Sequence, residues 1–199
     1  MTYAPTTMLW DRAAADPRHD ALIAEGWRLR AEKAFLEADL TSLDLPDAPP
    51  PGWGLRTLAE LGEERFAVLL IRAAEGDPFE QTPAERALDD LRELIAGAGA
   101  AYDPSSWYAV TDSLGDLGVV LPQVFADRPE EGTLFYIGIH PERRGQGFGR
   151  QLHRWGLAEL VARGATRYVG STDLRNAPML AVFASNGVNR TRTQAYYGR

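Results

Sequence analysis

The chain has 199 residues, 45% hydrophobic and 25% charged, which suits one soluble domain with an appendage or two very small domains. It holds no cysteine and three histidines (His19, His140, His153), which excludes disulfides, thiolate metal sites and a thiol nucleophile and leaves no H-E-x-x-H zinc motif. A net charge of −7 argues against non-specific nucleic-acid binding, and without a G-x-S-x-G elbow a Ser-His-Asp hydrolase is not indicated.

The N-terminus, MTYAPTTMLWDRAAADPRHD, lacks the basic start and apolar run of a secretory signal, and no stretch is apolar and long enough to span a membrane. A cytoplasmic protein without membrane contact is expected. Residues 6–26 read as containing a helix. In WRLRAEKAFLEADL (residues 27–40), Trp27, Leu29, Ala31 and Phe35 alternate as in a strand, although the Ala, Glu and Lys content suits a helix as well. The run LPDAPPPGWG (residues 45–54), with four prolines and two glycines, continues neither a helix nor a central strand. It divides an N-terminal extension (residues 1–50) from the main domain (residues 51–199).

After that boundary, GLRTLAEL predicts a strand leading into a helix. ERFAVLLIRAAEG carries Phe66, Leu69, Leu70 and Ala73 at helical spacing. TPAERALDDLRELIAGAG predicts a second helix, with Thr82 as cap, Pro83 at the first position, Glu85 at the third and Gly97 as stop. Three strands follow, SWYAVTD, LGVVLPQVF and TLFYIGI, joined by the turn-rich SLGD and ADRPEEG as an antiparallel meander. RQLHRWGLAELVARG predicts a helix with Leu152, Trp155, Gly156, Leu160 and Val161 inward and Gly164 as C-cap. TRYVGST reads as a buried strand, NAPMLAVFASNG as a short helix and RTRTQAYY as a final polar strand. The main domain is therefore α/β, in the order β-α-α-β-β-β-α-β-α-β.

Charge is unevenly distributed along the chain. Residues 133–199 hold ten arginines against three acids, and the first 132 residues hold eleven basic against twenty-five acidic groups. One reading is scattered surface charge. The other is an anion-binding half facing an acidic half, which suits an anionic cofactor and a cationic acceptor.

The most informative run is FYIGIHPERRGQGFGRQLHRW (residues 135–155), a strand, a glycine-rich loop and a helix start. Gly145, Gly147 and Gly149 let backbone approach a ligand, and the free N–H groups of the first helical turn form an anion site. Arg143, Arg144 and Arg150 add positive charge, so the favoured chemistry is pyrophosphate binding. The loop is not G-x-x-x-x-G-K-[ST], and it fails G-x-G-x-x-G because Arg150 stands where a third glycine is required.

The segment Arg144-Gly145-Gln146-Gly147-Phe148-Gly149, preceded by H-P-E-R, matches the R/Q-x-x-G-x-G/A motif of the GNAT acetyltransferase superfamily. Downstream, STDLRNAPMLAVFASNGV resembles that family's second motif. The resemblance implies the GNAT fold, a mixed, mostly antiparallel central sheet flanked by helices, and acetyl-CoA as co-substrate without a metal. It implies that main-chain groups of Ile137 and Ile139 pair with the pantetheine arm. Amides of Arg144, Gly145, Gln146, Gly147, Phe148 and Gly149, with Arg150, would hold the pyrophosphate, and Asn176 would bond the pantetheine arm from the other side. The reaction implied is acyl transfer to a primary amine by direct attack in a ternary complex, on a small-molecule or peptide acceptor, in a monomer or homodimer. Residues 22–40 look like the tail of a preceding GNAT unit.

Two positions depart from the family. Phe183 stands where many members have a tyrosine that protonates the leaving thiolate, and Thr133 where one branch has a glutamate base. Tyr136 and Ser185 are weak substitutes for the acid. Glu75, Asp77, Glu130 and Glu131 read as solvated carboxylates and His140 as a loop histidine rather than as bases. The departures motivate a competing reading, a catalytically weak or inactive acyl-CoA-binding or sensing module, and an unrelated binder of a phosphate ligand is the third alternative.

Overall fold

The computed structural model describes residues 6–79 and 83–199. The described residues begin with strand β1 (Thr6–Trp10), helix α1 (Pro17–Ala24) and strand β2 (Arg28–Asp39). The Asp16 carboxylate accepts from the Arg18 N–H and Pro17 opens α1, a side-chain cap followed by a pre-set φ. The helix expected across residues 6–26 is thus confined to its second half. The Thr-Thr-Met-Leu-Trp run is β-prone and pairs antiparallel with the last strand, β8 (Asn189–Gly198). Residues 28–39 take the strand alternative.

Beyond the proline-rich run come β3 (Gly54–Thr57), α2 (Leu58–Leu61) and α3 (Glu63–Ala74). Thr57 and Glu60 form a reciprocal capping box that turns the strand into the helix. A 3-10 turn (Ala84–Arg86) precedes α4 (Ala87–Ala98). The expected Thr82 cap lies outside the described residues. Gly97 is inside α4, and the stop is Gly99, whose φ of 58° breaks the helix.

The meander is β4 (Tyr108–Asp112), β5 (Gly115–Phe125) and β6 (Arg128–Ile139), antiparallel throughout. β6 takes in five of the seven residues of the expected ADRPEEG linker, leaving Ala126 and Asp127 as the turn. Helix α5 (Phe148–Ala162), strand β7 (Arg167–Asp173) and helix α6 (Ala177–Ser185) precede β8. Leu152, Trp155, Gly156 and Leu160 are buried as expected, but Val161 is 43% exposed because it falls off the apolar stripe. On β7, Tyr168 alone is buried, so the strand is less enclosed than its composition suggested.

The strands form one eight-stranded sheet in the order β1-β8-β2-β7-β6-β5-β4-β3. β2, from before the proline-rich run, lies between β7 and β8 and pairs antiparallel with both. It is an interior strand of the sheet. Its Ala34, Leu36 and Ala38 are buried in the same cluster as Leu152, Trp155, Leu157 and Leu160 of α5. On the other face, Phe66, Leu69 and Leu70 of α3 and Leu91 of α4 pack over Val119 and Leu121. β5 is covered on both faces, which is why its GVVL core shows no polar alternation.

Candidate active site

The parallel β6–β7 pair holds together at two rungs only, Glu131↔Arg167 and Gly132↔Tyr168. Beyond them the strands diverge, leaving one edge of β6 without a strand partner from residue 133 to residue 139. A cleft of about 600 Å³ fills this V, walled by residues 134–139, by 171–172 and by Asn176, Met179, Val182 and Phe183.

Backbone direction at the open edge follows from the pairing on the other side. The His140 N–H donates to the Leu117 carbonyl, so alternate residues of β6 point towards β5. Ile137 and Ile139 therefore turn their main-chain groups away from β5 to the open edge, where the Ile139 carbonyl accepts from Arg144. A bulge sets the two wall aromatics, since the register passes from Val120↔Ile137 to Pro122↔Leu134 and places Phe135 and Tyr136 opposite Leu121. Both rings line the cleft and an adjoining apolar cavity under α3 and α4.

The glycine loop meets the N-terminus of α5. Gly145 (φ 75°) and Gly147 (φ 83°) are left-handed, and Gly147 is the N-cap with no side-chain cap bond. No acid lies in the first turn. The orphan N–H groups and dipole of this fifteen-residue helix therefore face outward uncompensated, which fits an anionic diphosphate. The three flanking arginines have separate tasks. Arg143 is buried in an ion pair with Asp112, Nη1–Oδ1 3.0 Å, and holds that carboxyl below its ordinary range, so it adds no charge to the loop. Arg144 donates to the Ile139 and Ala73 carbonyls, each at 2.9 Å, tying β6 to the end of α3. Arg150 is exposed beside the helix start. The Phe148 side chain turns away towards Trp53, 6.5 Å between rings, which leaves only its amide for a ligand.

On the far wall Asn176 caps α6, its Oδ1 accepting from the Met179 N–H at 3.1 Å, so its amide NH₂ is the end left for a ligand. Phe183 is 2% exposed, lines the cleft and packs edge-on against His153, 5.1 Å between rings. Ser185 is not part of the cleft, because its hydroxyl donates to the Val182 carbonyl of its own helix. His140 is a core residue rather than a loop histidine. It is fully buried, its Nε2–H donates to the Leu69 carbonyl at 3.2 Å, and burial lowers its pKa. Glu131 is buried between Arg128 and Arg167. Asp77 is the one carboxylate among the described residues of the cleft, and its Oδ1 accepts from the Phe79 N–H at 2.8 Å.

Some of the charge asymmetry is paired off by folding. Arg143, Arg154, Arg167 and Arg192 pair with Asp112, Asp44, Glu37 and Asp11 from the acidic part of the chain.

The Acetyltransferase (GNAT) family profile matches residues 62–188, more than half of the chain and all of the cleft's first strand, loop and helix α5. The chain belongs to the GNAT family. Among curated relatives, the mycothiol acetyltransferase of Streptomyces bingchenggensis is 30% identical over 158 residues, 78% of this chain and 49% of its own length. That of Beutenbergia cavernae is 30% identical over 181 residues, 88% of this chain and 59% of its own. The chain thus spans about half the length of the curated relatives it matches. Among solved structures, a tandem GNAT protein from the clavulanic acid biosynthesis pathway aligns over 98% of this chain and 63% of its own, with TM-score 0.69 at 16% identity. A GCN5-related N-acetyltransferase from Sphaerobacter thermophilus aligns with TM-score 0.66 at 17% identity, over 98% of this chain and 60% of its own. At those identities the likeness is one of fold.

Proposed function

We propose that the chain transfers an acetyl group from acetyl-CoA to a primary amine of a small, cationic acceptor by direct attack in a ternary complex. The observation that carries this reading is that two sites adjoin. An uncapped helix N-terminus for the diphosphate adjoins an open β6 edge, and the edge leads to the apex of the V. An extended pantetheine arm adds to that edge as a further strand, through Ile137 and the Ile139 N–H, with Asn176 opposite. This places the thioester near the apex, beside Tyr136, Tyr168 and Phe183.

Of the cleft's described residues, Asp77 is the carboxylate able to take the amine proton, directly or through water. It also supplies negative charge where a cationic amine approaches. The relatives named mycothiol acetyltransferase support a small-molecule acceptor, and the amine left when mycothiol loses its acetyl group belongs in any acceptor screen.

The test is release of free CoA from acetyl-CoA over spermidine, glucosamine, L-lysine and that amine, with ionic strength varied. Turnover with at least one amine, falling as salt rises for spermidine, supports the reading. Tight acetyl-CoA binding with no turnover on any amine would mark the chain as a binding or sensing module instead. Weaker binding of acetyl-CoA than of ADP would point to an unrelated phosphate ligand.

A further inference from the structure

The sequence Tyr-x-Gly occurs on both strands of the V, as Tyr136-Ile137-Gly138 on β6 and Tyr168-Val169-Gly170 on β7. In each case the tyrosine lies along its strand over the glycine. A Cβ at Gly138 would sit 2.8 Å from the Tyr136 ring, and one at Gly170 would sit 2.5 Å from the Tyr168 hydroxyl. The two rings occupy opposite faces of the sheet. Tyr136 packs against the cluster that contains Ala73 of α3, whereas Tyr168 packs against His153 of α5 and Phe183 of α6, with ring centroids 5.6 and 6.3 Å away.

Tyr168 stands at the last rung before β6 and β7 part. Its hydroxyl runs forward over Gly170, from the apex towards the mouth of the cleft, which it lines together with Phe183. Among the described residues the hydroxyl has no hydrogen-bond partner, although the ring is 1% exposed. Its oxygen is not sealed from solvent, so a buried ring carries a hydroxyl that is open to the cleft. The cleft's other hydroxyls on this strand, Ser171 and Thr172, belong to the next two residues after Gly170, about 3–7 Å further towards the mouth at strand rise.

We propose that Tyr168 is the catalytic acid of this chain, donating the proton that the leaving sulfur takes as the thioester breaks. The inference rests on the acetyl-transfer reading above. The amine lone pair forms the C–N bond at the thioester carbonyl, and the C–S electron pair departs with sulfur. The Tyr168 hydroxyl proton passes to that sulfur, the ammonium nitrogen gives its proton to water, and water returns one to the phenolate. Amine and acetyl-CoA become amide and free CoA, with the enzyme unchanged. Burial pushes the Tyr168 phenol above its ordinary value, so it is protonated at neutral pH, and the same environment raises the departing thiol. Phe183 thereby keeps the packing of the family's usual phenol position while the neighbouring ring carries the hydroxyl.

Tyr168→Phe retains the packing and removes only the hydroxyl. With acetyl-CoA and whichever of spermidine, glucosamine and L-lysine wild type turns over fastest, kcat should fall roughly 10²-fold. Acetyl-CoA affinity by calorimetry should stay within about twofold. Adding Phe183→Tyr in that background should restore turnover by about tenfold or more, because it returns a phenol to the adjoining ring. If Tyr168→Phe does not fold, Gly170→Ala displaces the hydroxyl instead and should also lower kcat. Unchanged kcat in Tyr168→Phe, or a loss that Phe183→Tyr does not restore, overturns the proposal. An inactive wild type would instead overturn the acetyl-transfer reading.

Discussion

The Arg144 Nε–H donates to the Ile139 carbonyl at 2.9 Å, so the protein itself occupies one main-chain acceptor at the open edge of β6. The same guanidinium reaches the Ala73 carbonyl, fixing the end of α3 against the start of the glycine loop. Arg144 thus acts on the cofactor site through geometry as well as charge. Arg144→Ala should weaken acetyl-CoA binding by about tenfold, the equivalent of one charge-assisted hydrogen bond. Arg144→Lys should recover little of it, because an ammonium cannot span both carbonyls as the planar fork does. Calorimetric titration of the two variants decides it, and equal affinities for wild type and Arg144→Ala would exclude the strut.

Gly147 and Gly149 make a matched pair for the loop. A side chain at Gly147 meets nothing within 4 Å, but its φ of 83° is left-handed, a conformation that costs an L-residue about 1–2 kcal/mol. Gly147→Val should therefore deform the turn and lower acetyl-CoA affinity at least about tenfold. Gly149 has ordinary backbone, and a Cβ there sits 3.8 Å from Val182 and 3.9 Å from Ile139. Gly149→Ala should leave affinity within about threefold of wild type. The reverse order would relocate the diphosphate.

β2 should be indispensable. Leu36 is 2% exposed in the core shared with α5, so Leu36→Ala should cost about 2–5 kcal/mol in urea unfolding. A chain beginning at Pro51 would leave β7 and β8 facing an empty strand position, and it should be insoluble or unfolded. Cooperative unfolding of that shortened chain at the full chain's midpoint would contradict the topology.

Stability should also fall with acid through His153. Burial pushes its pKa from 6.5 down to about 3, and its Nδ1 accepts from Asn186 at 3.0 Å. The unfolded chain takes up this proton first, so the contribution is complete above the unfolded value and is lost progressively as pH falls from there towards the folded one. His140, lowered by burial as well, acts in the same direction. His153→Gln, which keeps an acceptor near Asn186, should flatten the decline of the urea midpoint below about pH 6.5. An unchanged slope would mean that His153 is not held neutral.

Much of the fold was legible because its signals are local. Thr57-x-x-Glu60, Gly145 and Gly147 at the loop, and the apolar stripe of α5 each act within one turn or one element. The strand at residues 6–10 was missed because its stability comes from pairing with residues 194–198, a partner at the far end of the chain. Arg143 was misread for the same reason, since its partner Asp112 is thirty-one residues away in sequence. The resemblance located Phe183 in the cleft wall, yet Tyr168 went unnoticed. Its one trace in the sequence is the repeated Tyr-x-Gly, which gains meaning only once two strands part between them.

The most direct test of the account is a crystal structure of the chain with acetyl-CoA bound. The diphosphate oxygens should lie within hydrogen-bond distance of main-chain N–H groups among residues 145–150. The pantetheine arm should run along Ile137 and Ile139, and the thioester sulfur should sit beside the Tyr168 hydroxyl at the apex of the β6–β7 cleft. A cofactor seated elsewhere, or a thioester out of reach of that cleft, would contradict it.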